Sequence, residues 1–187
     1  MKRWGLSSIV AALLLTSVLT PPANALGNER DSNVWGHIFA GKASVKTYNA
    51  TTNSGAHLES KSKFEVTYNN FPAWAQSEIQ AAVDVWSANF QSSVPIKVEA
   101  TWGRSQVYGL LGSARPGNYF NNFINAPDPT LWYPSALANA LAGRDLDKSN
   151  PEIVIQVNSA AAWDTRNDGK PSGSEYDLQS VFIHEIG

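Results

Sequence analysis

Apolar and polar positions alternate through Phe64-Glu65-Val66-Thr67-Tyr68 in residues that favour extended backbone, which predicts a half-buried strand ended by Asn69-Asn70-Phe71-Pro72. The period then changes. Ala75, Ile79, Ala82, Val83, Trp86 and Phe90 recur at helical spacing and draw one narrow apolar stripe, predicting a helix that starts near Pro72 and packs on a sheet. Trp86 lies mid-stripe and reads as core rather than as a ligand platform. Alternation returns over Ile96-Lys97-Val98-Glu99-Ala100-Thr101-Trp102. Strand, helix, strand is a crossover unit, so these two strands are expected to be parallel. The β-branched run Ile153-Val154-Ile155-Gln156-Val157 predicts a further strand buried on both faces or close to it. The fold class is therefore α+β, or mixed α/β: a twisted sheet backed by the helix near 73–90.

Between these elements the pattern is weaker. Residues 26–62, rich in Asn, Ser, Thr, Gly and Lys, read as an irregular arm or short edge strands. Residues 103–134 carry Gly, Asn and Pro among Tyr108, Tyr119, Phe120, Phe123, Trp132 and Tyr133, the composition of a long, partly ordered loop region whose aromatics pin it to its own domain. Ser135 is placed to cap a short helix with Ala136, Leu137, Ala140 and Leu141 on one side and Gly143 closing it. Asp145 and Asp147 match a glycosidase carboxylate pair only in number and read as a solvated turn. Asp164, Asn167, Asp168, Glu175 and Asp177 offer oxygen ligands for calcium, but their spacing does not match a twelve-residue calcium loop and a solvated turn is favoured.

The chain's beginning has a different character. Basic Lys2 and Arg3, an apolar run from Leu6 to Leu19, Pro21-Pro22 and Ala23-Asn24-Ala25 read as a signal peptide over 1–25, expected to be cut after Ala25. The run is too short and too interrupted by Ser and Thr for a membrane anchor. Losing Lys2 and Arg3 takes the formal charge of the 187-residue chain from -2 to -4. A weakly acidic surface without clustered cations does not suit nucleic acid or anionic membranes. Export permits disulfides, yet the chain contains no cysteine, which excludes thiol catalysis and thiolate zinc sites. Asn49-Ala50-Thr51 fits a glycosylation acceptor and matters only in a glycosylating host.

The end of the chain carries the chemistry. Ser174-Glu175-Tyr176-Asp177 has the spacing of a capping box, so a helix is expected to start near 175. On a helical wheel Leu178, Val181, Phe182, Ile183 and Ile186 share an arc of about 200°. Glu185 falls inside this apolar arc and His184 at its edge. A carboxylate there loses hydration at a cost of several kcal/mol, on the order of 1–7 by transfer scales, unless something compensates.

The segment Val181-Phe182-Ile183-His184-Glu185-Ile186-Gly187 resembles the active-site helix of zinc-dependent metallopeptidases of the zincin class, and among them the secreted metzincin-like proteins, which carry HExxH extended to HExxHxxGxxH. HEIG is similar to the first four residues of that motif. The stretches FEVTY, VPIKVEATW, WYPSALANALAG and PEIVIQVNS resemble the front half of such domains, so the likeness runs over about residues 64–187. It implies a zincin-like N-terminal subdomain over 63–187, with His184 as a zinc ligand and Glu185 as the catalytic base. The remaining Zn2+ ligands are expected beyond residue 187, since His37 and His57 lie in the arm and read as surface histidines. The implied activity is hydrolysis of extracellular proteins or peptides by a secreted metalloendopeptidase, with this chain alone an inactive and marginally stable fragment. The competing expectation is a secreted carbohydrate- or surface-binding module in which loop aromatics do the work.

Overall fold

The computed structural model describes residues 27–32, 34–40, 60–166 and 168–187. The expected signal peptide, Asn49-Ala50-Thr51, His57 and Asn167 lie outside them. In chain order the elements are β1 (Asn28–Asp31), β2 (Gly36–Phe39), β3 (Phe64–Asn69), α1 (Ala73–Asn89), β4 (Ile96–Gly103), β5 (Leu110–Pro116), β6 (Asn118–Asn121), β7 (Tyr133–Pro134), α2 (Ser135–Ala142), β8 (Ile153–Asn158) and α3 (Leu178–Ile186). The fold is mixed α+β, with sheets of five and three strands.

The two alternating segments form β3 and β4, paired in parallel from Phe64 opposite Ile96 to Asn69 opposite Thr101. α1 makes the crossover, as its position between them requires. β8 joins β4 in parallel, β5 runs antiparallel to β8, and β2 runs antiparallel to β5, giving the order β2-β5-β8-β4-β3. The smaller antiparallel sheet is β1-β6-β7. β1 and β2 are short edge strands within residues 26–62.

One face of the large sheet presents Val98, Ala100, Ile155 and Val157 to α1 and α3. The α1 stripe buries Ala75, Ile79, Ala82 and Val83 there, and α3 adds Leu178, Val181 and Phe182. Burying each large apolar side chain contributes about 1.5–3 kcal/mol. Trp86 ties the helices together by donating its indole N–H to the Ile183 carbonyl at 2.9 Å. β8 is not buried on both faces as expected: Val154 is half-buried and Gln156 exposed. Gln156 sits between Thr101 and Ser113, on the face that α1 and α3 leave uncovered.

Residues 103–134 are more regular than a partly ordered loop region, because β5 and β6 lie within them. Only Leu110 and Leu111 in β5 are large and apolar; the small Gly112 and Ala114 occupy the helix-facing side, so composition hid the strand. The aromatics do pin the segment. Phe120 and Phe123 are buried with Ala138 and Leu146 in a second small core, with Tyr133 packed beside them.

α2 also departs from expectation. Pro134, not Ser135, is its N-cap, and the buried Ser135 hydroxyl donates instead to the Glu152 carbonyl at 2.9 Å. Its buried residues are Ser135, Ala138 and Asn139, whereas Leu137 is exposed. Asn139 is held inward because its amide donates to the buried Glu152 carboxylate at 3.0 Å and its carbonyl oxygen accepts from Leu146 N–H at 3.0 Å. Gly143 ends the helix with φ 66°, as its position suggested.

Gly117 carries the chain from the large sheet to the small one. Its N–H donates to the Glu152 carbonyl at 2.9 Å, and a Cβ at this position would overlap the Pro151 carbonyl oxygen. Backbone cannot yield as a side-chain tip can. Gly117→Ala is expected to destabilise the fold by about 3 kcal/mol, the upper end for overpacking, lowering Tm by about 10 °C for a chain of this size. A calorimetric Tm within a degree or two of the parent would refute the close approach.

Candidate functional site at the end of α3

α3 starts later than the capping box implied. Asp177 is its N-cap, accepting the Ser180 N–H at 2.7 Å, so the acid expected to lie inside the first turn is itself the cap. The helix runs through Ile186 and buries Leu178, Gln179, Val181, Phe182 and Glu185. The arc derived from the wheel is thus occupied, with Ile183 and Ile186 only half-buried.

Glu185 is 6% exposed, and its Oε1 has no hydrogen-bond partner among the described residues. The carboxylate lies over Gly112 of β5: a Cβ built there would come within 2.9 Å of Glu185 Oε1. Glycine therefore makes the room that this side chain fills. Burial alone pushes the Glu185 pKa up to about 7, because the charged form loses hydration with no compensating partner. An acid poised near neutrality suits proton transfer in either direction. His184, one residue earlier and about 100° around the helix, is exposed. The two candidate residues are neighbours along the last turn of α3 but differ in environment.

No further metal ligands join them: among the described residues no three His, Asp or Glu side chains converge to hold an ion. His37 is exposed on β2, opposite Ser113. Nor is the acidic loop a plain solvated turn. Asp164 is buried and accepts two hydrogen bonds from the Arg166 guanidinium, at 2.7 and 2.8 Å, and the same guanidinium donates to Glu175 at 3.0 Å. A protein cation takes the place a calcium ion was considered for, and Arg166 holds the Asp164 carboxyl below its usual range. The turn is closed by Asp164 N–H donating to Tyr176 and Tyr176 N–H donating to Ala162.

Asp145 and Asp147 are likewise structural. Asp145 pairs with Lys97 at 3.0 Å, while Asp147 accepts from the Asn118 and Asn150 amides. Aromatic rings cluster where β4 ends: Trp102 packs against Phe71, Trp74 and Trp163 with centroids 5.2 to 6.1 Å apart. Tyr108 stands apart, 99% exposed.

One titratable residue was missed from the sequence. Glu78 on α1 is 2% exposed, its Oε2 has no partner among the described residues, and its pKa is pushed up to about 7 by burial and then by the charges of Asp177, Asp164 and Asp168. The signal was present, since position 78 completes the i, i+3, i+4, i+7 pattern of Ala75, Ile79 and Ala82. It is a second carboxylate inside an apolar stripe. Comparison of the chain with protein-family models, curated proteins and solved structures finds no match.

Proposed function

We propose that this chain is the front part of a secreted, zinc-dependent metalloendopeptidase of zincin-like fold, acting on extracellular proteins or peptides. The carrying observation is the Glu185 carboxylate, buried without a hydrogen bond for Oε1 beside Gly112 and preceded by an exposed imidazole on the same helical turn. An isolated buried carboxyl weakens a fold, and a requirement for proton transfer explains its retention. His184 fits one ligand position. The other ligands would have to be supplied from outside the described residues, among which no second ligand joins it.

Bound zinc would polarise the scissile carbonyl and lower the pKa of the attacking water toward about 7. Glu185 would accept a proton from the water attacking the scissile carbonyl and give it to the leaving amine as the C–N bond breaks. Its pKa suits both halves of the cycle. Burial against β5 and α3 keeps bulk water from competing for the proton.

Zinc content tests this reading. This chain alone is expected to hold no stoichiometric zinc, whereas the chain extended through the following reading frame should bind about one zinc per chain and lose it on His184→Ala. Elemental analysis showing no zinc in the extended protein would overturn the assignment. The binding-module reading would then come forward, favoured by the exposed trio Phe39, Val107 and Tyr108 near the β2–β5 junction.

A further inference from the structure

The last turn of α1 meets the last turn of α3 through one side chain. Trp86 belongs to the apolar stripe of α1, is half-buried near the end of that helix at Asn89, and touches α3 at two places. Its indole N–H donates to the Ile183 carbonyl at 2.9 Å, and its six-membered ring lies so close to Gly187 that a Cβ there would overlap Cζ2 and come within 2.9 Å of Cη2. Ile183 and Gly187 flank His184, Glu185 and Ile186. One indole therefore holds both ends of the turn that carries the two candidate residues. A carbonyl oxygen has two lone pairs, so the indole bonds Ile183 without opening the helix.

The direction of the contact gives it a consequence for Glu185. Successive residues turn by about 100° around a helix, which puts Gly187 about 200° from Glu185, on the opposite side of α3. The carboxylate lies over Gly112 of β5, so the turn is set between an indole on one side and a strand on the other, with a glycine at each contact. Side chains reach about 5 Å from the helix axis, and a rotation of about 20° would carry the carboxylate about 2 Å along β5. Misplacement of a reacting group by about 1 Å can cost about 10²-fold in rate. The rotation of this turn is thus a quantity that chemistry at Glu185 depends on.

We propose that Trp86 is the positioning residue of Glu185: its indole, bonded to Ile183 and seated on Gly187, sets the rotation of the last turn of α3 and thereby the place of the carboxylate over Gly112. The purpose rests on the catalytic reading of Glu185, the geometry does not. Trp86 acts only through the backbone of α3. The same contact accounts for glycine at position 187, since an alanine methyl would strike the ring.

Carbodiimide amidation of the whole folded chain, read by mass spectrometry, measures whether Glu185 stays seated. Phenylalanine has neither the indole N–H nor the atoms Cζ2 and Cη2, so Trp86→Phe removes both contacts. Glu185 is expected to label at least about tenfold faster in this variant than in the parent. Glu78, also buried and on α1 itself, should label at the parental rate. A rise shared by both carboxyls would mean that Trp86 merely supports the fold, and no rise at Glu185 would mean that the turn is set without it; either result overturns the proposal.

Gly187→Ala is the complementary variant. Alone it should raise the labelling of Glu185 to a similar extent; combined with Trp86→Phe it should add less than about twofold, because the atoms its methyl would strike are gone and changes that share a contact are not additive. Effects that multiply in full would refute the clamp. Should neither variant fold, hydrogen exchange on the unaltered chain decides: the Trp86 indole N–H should exchange within about tenfold of the α3 amides. An indole exchanging faster than that is not held, and the proposal fails.

In the extended, zinc-loaded protein Trp86→Phe should lower kcat at least about tenfold while KM changes less than about twofold and about one zinc per chain is kept. An unchanged kcat would end the positioning role. If the labelling results hold but the extended parent, loaded with zinc, cleaves no peptide, the catalytic reading of Glu185 fails and the clamp stands.

Discussion

Glu185→Gln in the extended, zinc-loaded protein is expected to lower kcat by about 10²–10⁴-fold, the usual contribution of a positioned general acid–base group. The amide matches the carboxylate in shape and cannot accept the proton of the attacking water. KM should change little, because the side chain is buried beside Gly112 and binding groups elsewhere are untouched. Fold stability above pH 7 should rise, since a neutral amide avoids burying a charge whose Oε1 lacks a hydrogen bond. Loss of activity together with gain of stability is the signature of a residue kept for chemistry. Undiminished kcat in a steady-state assay would remove Glu185 from the mechanism, and lowered stability at pH 8 would show that the carboxylate supports the fold instead.

Glu78 gives the second large effect, away from the proposed metal position. Its folded-state pKa of about 7 lies above the ordinary value of 4.5, so between those limits the folded chain keeps a proton that the unfolded chain has released. The stability contribution is complete below about pH 4.5 and is lost as pH rises to about 7, a change on the order of 3 kcal/mol. Burial is the main cause, with Asp177, Asp164 and Asp168 adding repulsion. Glu78→Gln should therefore flatten this part of the pH–stability curve and leave a protein more stable than the parent at pH 8. Glu185, raised in the same direction, accounts for a comparable remaining slope. Denaturant unfolding at pH 5 and pH 8 checks both statements. A variant with the parent's full pH dependence, or less stable than the parent at pH 8, would contradict the assignment.

The two buried carboxyls differ in how far the sequence disclosed them. Glu185 stood out because the wheel of α3 had a wide apolar arc around it, and the residues beside it resemble a metallopeptidase helix. Glu78 sits within an equally regular pattern, but its apolar neighbours Ala75, Ile79 and Ala82 define the stripe of α1 without it, and no motif beside it marks the carboxylate. Local periodicity contained both. What it did not contain was the partner across the gap. Gly112 makes room for Glu185, and the two meet only because β5 folds back antiparallel beside β8 and α3 returns over it.

Hydrogen bonding explains the other departures. Ser135 has the chemistry of an N-cap, yet its hydroxyl is better used on the Glu152 carbonyl, a partner 17 residues away. Asp164 looked like a solvated acid until Arg166 and the pairing of Trp163 with Tyr176 folded the loop around it. β5 was concealed because small residues replaced the large apolar ones that advertise a strand, and small residues are what close approach of α3 requires.

By itself the sequence determined β3, α1, β4 and β8, the parallel crossover, the apolar face of α3 and the candidacy of His184 and Glu185. Each of these depends on periodicity within one segment or on the identity of adjacent residues, and both are local properties. Only the tertiary structure decided that β5 lies antiparallel against β8, that Gly112 houses a carboxylate, and that β2 pairs with β5 at the sheet edge. Those depend on which distant segments meet and in what register, which is set by the joint burial of all the apolar faces together and by no single stretch of the chain.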